Sequence, residues 1–486
     1  MKRYLPLFLL FFLTYAYFFP RWASWSQNSR LDLTMALVDK GSLNIDDYYT
    51  NTGDYAEFEG HFYTDKAPGV SFLGVPVYAA YRAVASLPPV TRLMEKIARS
   101  PAFEATLNPE GTGVALDKLY FMGALYAVTM TTIALPAALL GVLLYIYLGR
   151  VFPGEEVLRL SVVLIYALAT PAFAYGGMLF SHQLTAFLLF AAFFRVTGAA
   201  QREAAALPLF GAGFLAGWAV ISEYPAALIA IAIGLYALRK RPSWKTALWM
   251  GLGALIPGLL LMGYDYAIFH TILPVGYKYS VNYHDLHDQG LISLTGPNLP
   301  ALWGITFGTL RGLFFLSPVL LLAVPGFWWW RRSGERTAEW GLSLWAALSF
   351  LLFNGSSIMW QGGYAVGPRY LLPMLPFLMP AFAWGLRRVW MSPAGRAVTG
   401  ALLGWSLFAV WAETLGGQSF PDWTPNPLFN YSLPYWREGS IARNLGMALG
   451  LEGAASLLPL LVILAALGAW VWREAYEVQS TGYKVQ

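Results

Sequence analysis

The chain has 486 residues, 57% of them hydrophobic and 12% charged, with a net charge of +5 and no cysteine. A soluble globular protein carries about 25% charged residues, so the composition excludes an ordinary soluble domain, and the absence of cysteine excludes a disulfide framework or a thiolate site. The apolar residues run in long blocks instead of alternating over short segments, which predicts membrane-spanning helices instead of a β-barrel.

The first stretch, MKRYLPLFLLFFLTYAYFFP, has two basic residues and an apolar core, as a signal peptide does. Phe18, Phe19, Pro20 and Arg21 make poor cleavage flanks, so it reads as a retained first helix. Further spans are expected at roughly 119–148, 158–175, 183–197, 208–222, 224–238, 246–267, 313–330, 340–353, 370–386, 397–411 and 454–472. The expected fold is therefore an all-α polytopic membrane protein of about twelve transmembrane helices (about eleven to thirteen), one integral membrane domain over residues 1–486.

If those helices alternate, the basic residues fall on one side: Lys2 and Arg3, Arg150 and Arg159, Arg195 and Arg202, Arg239 to Arg241 with Lys245, Arg331, Arg332 and Arg336, Arg387, Arg388 and Arg396, and Arg473. The positive-inside rule makes that side cytoplasmic, with both termini on it. The net positive charge then belongs to short inner loops and implies no nucleic acid. The opposite side receives a long loop, 20–118, a second at 412–453, and all five histidines.

The long loop carries Asp32, Asp39, Asp46, Asp47, Asp54, Glu57, Glu59 and Asp65. Within it, Leu31, Met35 and Val38 share one helical stripe, predicting a short amphipathic helix that lies at the interface. The stretch APGVSFLGVPVYAAYRAV is apolar but broken by Pro and Gly, and reads as a second interfacial or re-entrant piece.

Several constellations could carry chemistry. Asp65-Lys66-Ala67-Pro68-Gly69 sets a carboxylate beside an ammonium: a base or metal ligand with a phosphate neutraliser, or a helix cap with a solvated lysine. Ser181-His182 and Ser222-Glu223-Tyr224-Pro225 place a histidine and an acid at outer helix breaks. Lys278 among Tyr277, Tyr279 and Tyr283 could line a sugar or lipid-phosphate groove. The cluster His284-Asp285-Leu286-His287-Asp288 matches no standard zinc spacing. Arg369, after a loop of three glycines that includes Tyr364, could grip a phosphate bidentately or snorkel, and Arg311 has the same two readings. His61 and Arg30 are further candidates for substrate contact, and Asp47 for catalysis. A divalent ion on Asp65 and His182 is the metal site these residues suggest; no other cofactor is expected. Gly211-Ala212-Gly213 lies inside an apolar span and predicts close helix packing, not a dinucleotide site. There is no P-loop and no internal repeat, which weighs against an ATP-driven pump and against many secondary transporters.

The order of a first helix, a long acidic outer loop, Tyr63-Thr64-Asp65-Lys66-Ala67-Pro68, many helices and Gly367-Pro368-Arg369-Tyr370-Leu371-Leu372-Pro373 resembles the GT-C superfamily of membrane glycosyltransferases, in the branch of protein O-mannosyltransferases and lipid A aminoarabinose transferases. The resemblance extends over most of residues 1–400. His182 falls where that family has an acid, and Gln27-Asn28-Ser29-Arg30 stand where its first loop normally opens with Asp-Glu. The resemblance implies transfer of a sugar, with inversion, from a polyprenyl-phosphate donor to an acceptor hydroxyl on a glycan, lipid or protein at the outer face of a bacterial inner membrane. It implies Asp65 as base with Asp32 second and the Asp46/Asp47 pair third, and Lys66 and Arg369 as phosphate ligands. The alternatives are a transporter or flippase of a lipid-linked substrate, or a non-catalytic relative that binds the carrier.

Overall fold

The computed structural model describes residues 4–20, 24–100, 115–199, 205–273, 275–290 and 293–481. Lys2, Arg3 and Arg202 lie outside the described residues. The described residues are mostly helical, with one exception among them to the all-α expectation: a two-stranded hairpin, β1 (Tyr55–Phe58) and β2 (His61–Thr64). Its sequence alternates around Glu59-Gly60, both at positive φ (52° and 80°), which is the backbone a two-residue hairpin turn requires.

Among the described residues four helices are long and apolar enough to cross a membrane: Asp117–Val151, Trp244–Phe269, Pro393–Leu415 and Gly453–Ser480. Helices occupy the other expected stretches too, but as shorter or broken pieces. Pro318 opens a 3₁₀ turn before Ala323–Ser333, and Arg369–Met374 is 3₁₀ before Leu375–Val389. Proline removes a backbone donor and clashes with the preceding turn, which is why these segments do not run as single helices. The helix Gly69–Ala85 meets Pro88–Ala98 at 86°, as a broken or re-entrant piece does.

Two contacts scale the bundle. The Tyr126 hydroxyl donates to the carbonyl of Ala16 (2.8 Å), and the rings of Tyr4 and Tyr145 lie 6.3 Å apart. The helix between Tyr126 and Tyr145 rises about 28 Å at ~1.5 Å per residue, close to the ~30 Å hydrocarbon core of a bilayer. At the Tyr145 end the basic segments converge. Arg336 donates to the carbonyl of Arg150, Arg387 pairs with Glu155 (3.0 Å), Lys240 with Glu339 (3.0 Å), and Arg241 donates to the carbonyl of Ala199. Gly213 and Gly253 let helices Ala206–Ser222 and Trp244–Phe269 touch backbone to backbone: a Cβ on either would strike a carbonyl of the other helix, at Met250 or Phe210. The small-residue string is thus helix packing.

The helix Trp25–Asp39 departs from its expected place. It does not lie with one face exposed; every residue from Ser26 to Ala36 is buried, polar ones included. Its apolar stripe enters the core, and its polar stripe faces the hairpin and the Ser181 helix.

Candidate functional site

Hairpin register builds the first half of the site. Because Tyr55 pairs with Thr64, the residues just outside the ladder, Asp54 and Asp65, come side by side. Lys66 closes on both, with Nζ 3.0 Å from an oxygen of each. Ser280, joined to the hairpin by a bridge to Ala56, donates its hydroxyl to the second Asp65 oxygen (3.0 Å). The Tyr283 ring lies 5.9 Å from the ammonium. Burial raises the Asp65 carboxyl above its ordinary 3.8; Lys66 opposes this and the Asp54 charge reinforces it. Burial lowers Lys66, but its two carboxylates outweigh that and keep it charged.

The second half comes from three separated segments. Arg30 is 4% exposed and donates to Ser26 (carbonyl 2.5 Å, hydroxyl 2.7 Å) and to the Ser181 hydroxyl (3.1 Å). The Ser181 hydroxyl donates to Glu223, whose same oxygen is 3.2 Å from His182 Nδ1. Arg369 stacks over Phe180 (4.9 Å) and Tyr370 (5.0 Å) and donates to the Tyr370 hydroxyl (3.2 Å). Among the described residues neither Arg30 nor Arg369 has a carboxylate within ion-pair distance, and the buried Nε of each has no hydrogen-bond partner. Arg30 feels the charges of Glu223, Arg369 and Asp54, and Lys66 feels those of Asp54, Asp65 and Arg30, so the two halves form one cluster. It sits at the Ala16 end of the bundle: Gly177 packs on the Tyr15 carbonyl, and Gly69 on Ser222.

Burial alone would raise Glu223, yet His182, Ser181 and Arg30 together hold it at about 2. A carboxyl whose folded value lies below its unfolded value of 4.5 stabilises the fold at pH above 4.5, and that stability is lost as pH falls toward 2. Wild type should therefore melt above Glu223→Gln at neutral pH, with the gap closing between about pH 4.5 and 2; a gap independent of pH would rule out this charge as its source.

Other expected residues lie elsewhere. Asp32 is fully buried and, among the described residues, receives only Asn51 (3.3 Å); burial, partly offset by Asn51, pushes its carboxyl well above the ordinary range. Asp47 is an exposed partner of Lys40 (2.9 Å), and His61 pairs with Asp46 (2.7 Å), which also caps the Phe62 amide. Lys278 lines a shallow surface cleft with Glu57, Glu59 and His284, on the outward side of the hairpin. Tyr364 is 48% exposed and packs edge-on against Trp423. For metal, no group of three His, Cys, Asp or Glu among the described residues could hold an ion: His182 faces Glu223, and Asp65 faces Lys66 and Ser280.

Arg311 is not placed to grip a phosphate. It is fully buried and donates to the carbonyls of Gln361 (2.9 Å), Gly363 (2.8 Å), Phe420 (2.8 Å) and Pro421 (3.3 Å). It therefore shapes the glycine loop that delivers Arg369. Arg311→Met should leave several buried carbonyls unpaired at about 1–3 kcal/mol each, and melting in detergent should show a drop of many degrees.

Sequence reading did not single out Asp54 or Ser280 as site members. Asp54 had a signal, the hairpin alternation; Ser280 had none. Among known proteins, no family model matches the chain and no curated protein matches it.

Proposed function

We propose that the chain is a membrane glycosyltransferase of GT-C type, moving a sugar from a polyprenyl-phosphate donor to an acceptor hydroxyl. The observation that carries this reading is the pairing of buried Arg30 and half-buried Arg369, neither with a carboxylate partner among the described residues, with a base-competent carboxylate in the same cluster. Arg30 and Arg369 suit a lipid phosphate, since guanidinium groups bind phosphate oxygens bidentately. Asp65, made more basic by burial and by Asp54, suits proton removal from the acceptor hydroxyl as its oxygen attacks the anomeric carbon. The carbon–phosphate oxygen bond breaks on the opposite face, giving inversion, and the carrier phosphate leaves onto the arginines. Lys66 orients Asp65 and Asp54 more than it contacts phosphate, because both carboxylates already occupy it.

The same reading takes about twelve crossings in a bacterial inner membrane, with the basic end and both termini cytoplasmic and the cluster outside. Its site lies at membrane-boundary depth, where a carrier dissolved in the bilayer and a water-borne acceptor can both arrive. The test is label transfer by purified protein in lipid, from polyprenyl-phosphate sugars to acceptors in a bacterial membrane extract. Transfer supports the reading. Tight binding of polyprenyl phosphate with no transfer from any donor replaces it with the carrier-binding or transport alternative, which the same two arginines would serve.

A further inference from the structure

Asp265 lies in the spanning helix Trp244–Phe269 and is used by nothing described so far. It is 1% exposed, its Oδ2 is buried without a hydrogen-bond partner, and no ion pair reaches it among the described residues. The adjacent Tyr264 hydroxyl is also buried and unpartnered, with its ring packed on Phe72 (5.7 Å). Each such orphan costs about 1–3 kcal/mol, and an acid inside a membrane helix is a functional candidate by default.

These groups border the cluster. Tyr224 stands edge-on to Tyr277 at 6.0 Å and lies within electrostatic reach of Glu223, Tyr264 and Asp265. Tyr264 lies within reach of Asp65. The site thus has a cationic group of Arg30, Arg369 and Lys66, bordered by a group of acids and phenols. A carboxyl accepts from neighbouring hydroxyls, phenols both donate and accept, and aromatic rings cover apolar C–H surface. That combination fits a hydroxyl-bearing ring.

We propose that Asp265, Tyr264 and Tyr224 form the sugar-binding flank, holding the ring of the donor while Arg30 and Arg369 hold its phosphate. The inference rests on the transferase reading above. The test measures binding of bare polyprenyl phosphate, and of a panel of polyprenyl-phosphate hexoses and pentoses, to purified protein in nanodiscs. Wild type should bind at least one glycosylated lipid about tenfold more tightly than the bare lipid. Asp265→Asn and Tyr264→Phe should each reduce that ratio to about two or less, leaving bare-lipid affinity unchanged and melting temperature unchanged or higher, because neither group has a protein partner to lose among the described residues and each orphan costs stability. A ratio that survives in both variants overturns the proposal, as does a wild type that does not discriminate for any sugar. So does a lower melting temperature with the ratio intact, the mark of a structural role. Absence of binding to every lipid, bare included, overturns the transferase reading and takes this inference with it.

Discussion

Arg369→Gln should weaken binding of polyprenyl phosphate by about 10- to 100-fold, the loss of charge-assisted hydrogen bonds worth about 1.5–3 kcal/mol. Among the described residues Arg369 has the Tyr370 hydroxyl as its one side-chain hydrogen-bond partner and otherwise rests on aromatic faces, so the guanidinium is committed to no acid among them. Arg30→Gln should act in the same direction. Arg30 also holds Ser26 and Ser181, so this variant should disturb Glu223 as well and lower stability, whereas Arg369→Gln should not. The two losses should combine less than additively if both arginines grip one phosphate. Equal affinity in wild type and both variants, measured by lipid binding in nanodiscs, would place the phosphate elsewhere.

Asp65→Asn should lower transfer by about 10²–10⁴-fold, the usual contribution of general-base help, with donor affinity preserved. Lys66 keeps Asp54 as a partner in this variant, so the fold should survive. The pH profile adds a sharper signature. A base must be deprotonated, so the rate should rise with pH through the Asp65 value, and burial places that limb above 3.8. Asp54→Asn removes a charge that raises Asp65, so its limb should move to lower pH; Lys66→Met removes one that lowers it, so its limb should move to higher pH. Limbs that do not move in these directions would exclude Asp65 as the titrating group.

These contrasts show which parts of the molecule its sequence made legible. The apolar blocks were legible because membrane length is a local property, although prolines such as Pro318 and Pro373 divide several of them. The basic residues were legible as a set, and Arg150, Arg336, Arg387 and Lys240 do gather at one end. The hairpin was present in the alternation of Tyr55 to Thr64, and its register alone brings Asp54 to Asp65. Ser280 on Asp65 was not legible, because it pairs residues 215 positions apart. Nor could local sequence separate Arg311 from Arg369: both are arginines beside glycines, and only the carbonyls converging on Arg311 distinguish a structural cation from an available one.

The most direct test of the central claim uses sealed proteoliposomes, with labelled polyprenyl-phosphate sugar and an acceptor extract confined to the face that holds Asp65. The account predicts label on the acceptor at that face, at a rate that falls at least a hundredfold in Asp65→Asn, while the donor itself stays on its side of the bilayer. Intact labelled donor appearing on the opposite face, with none on the acceptor, would contradict it.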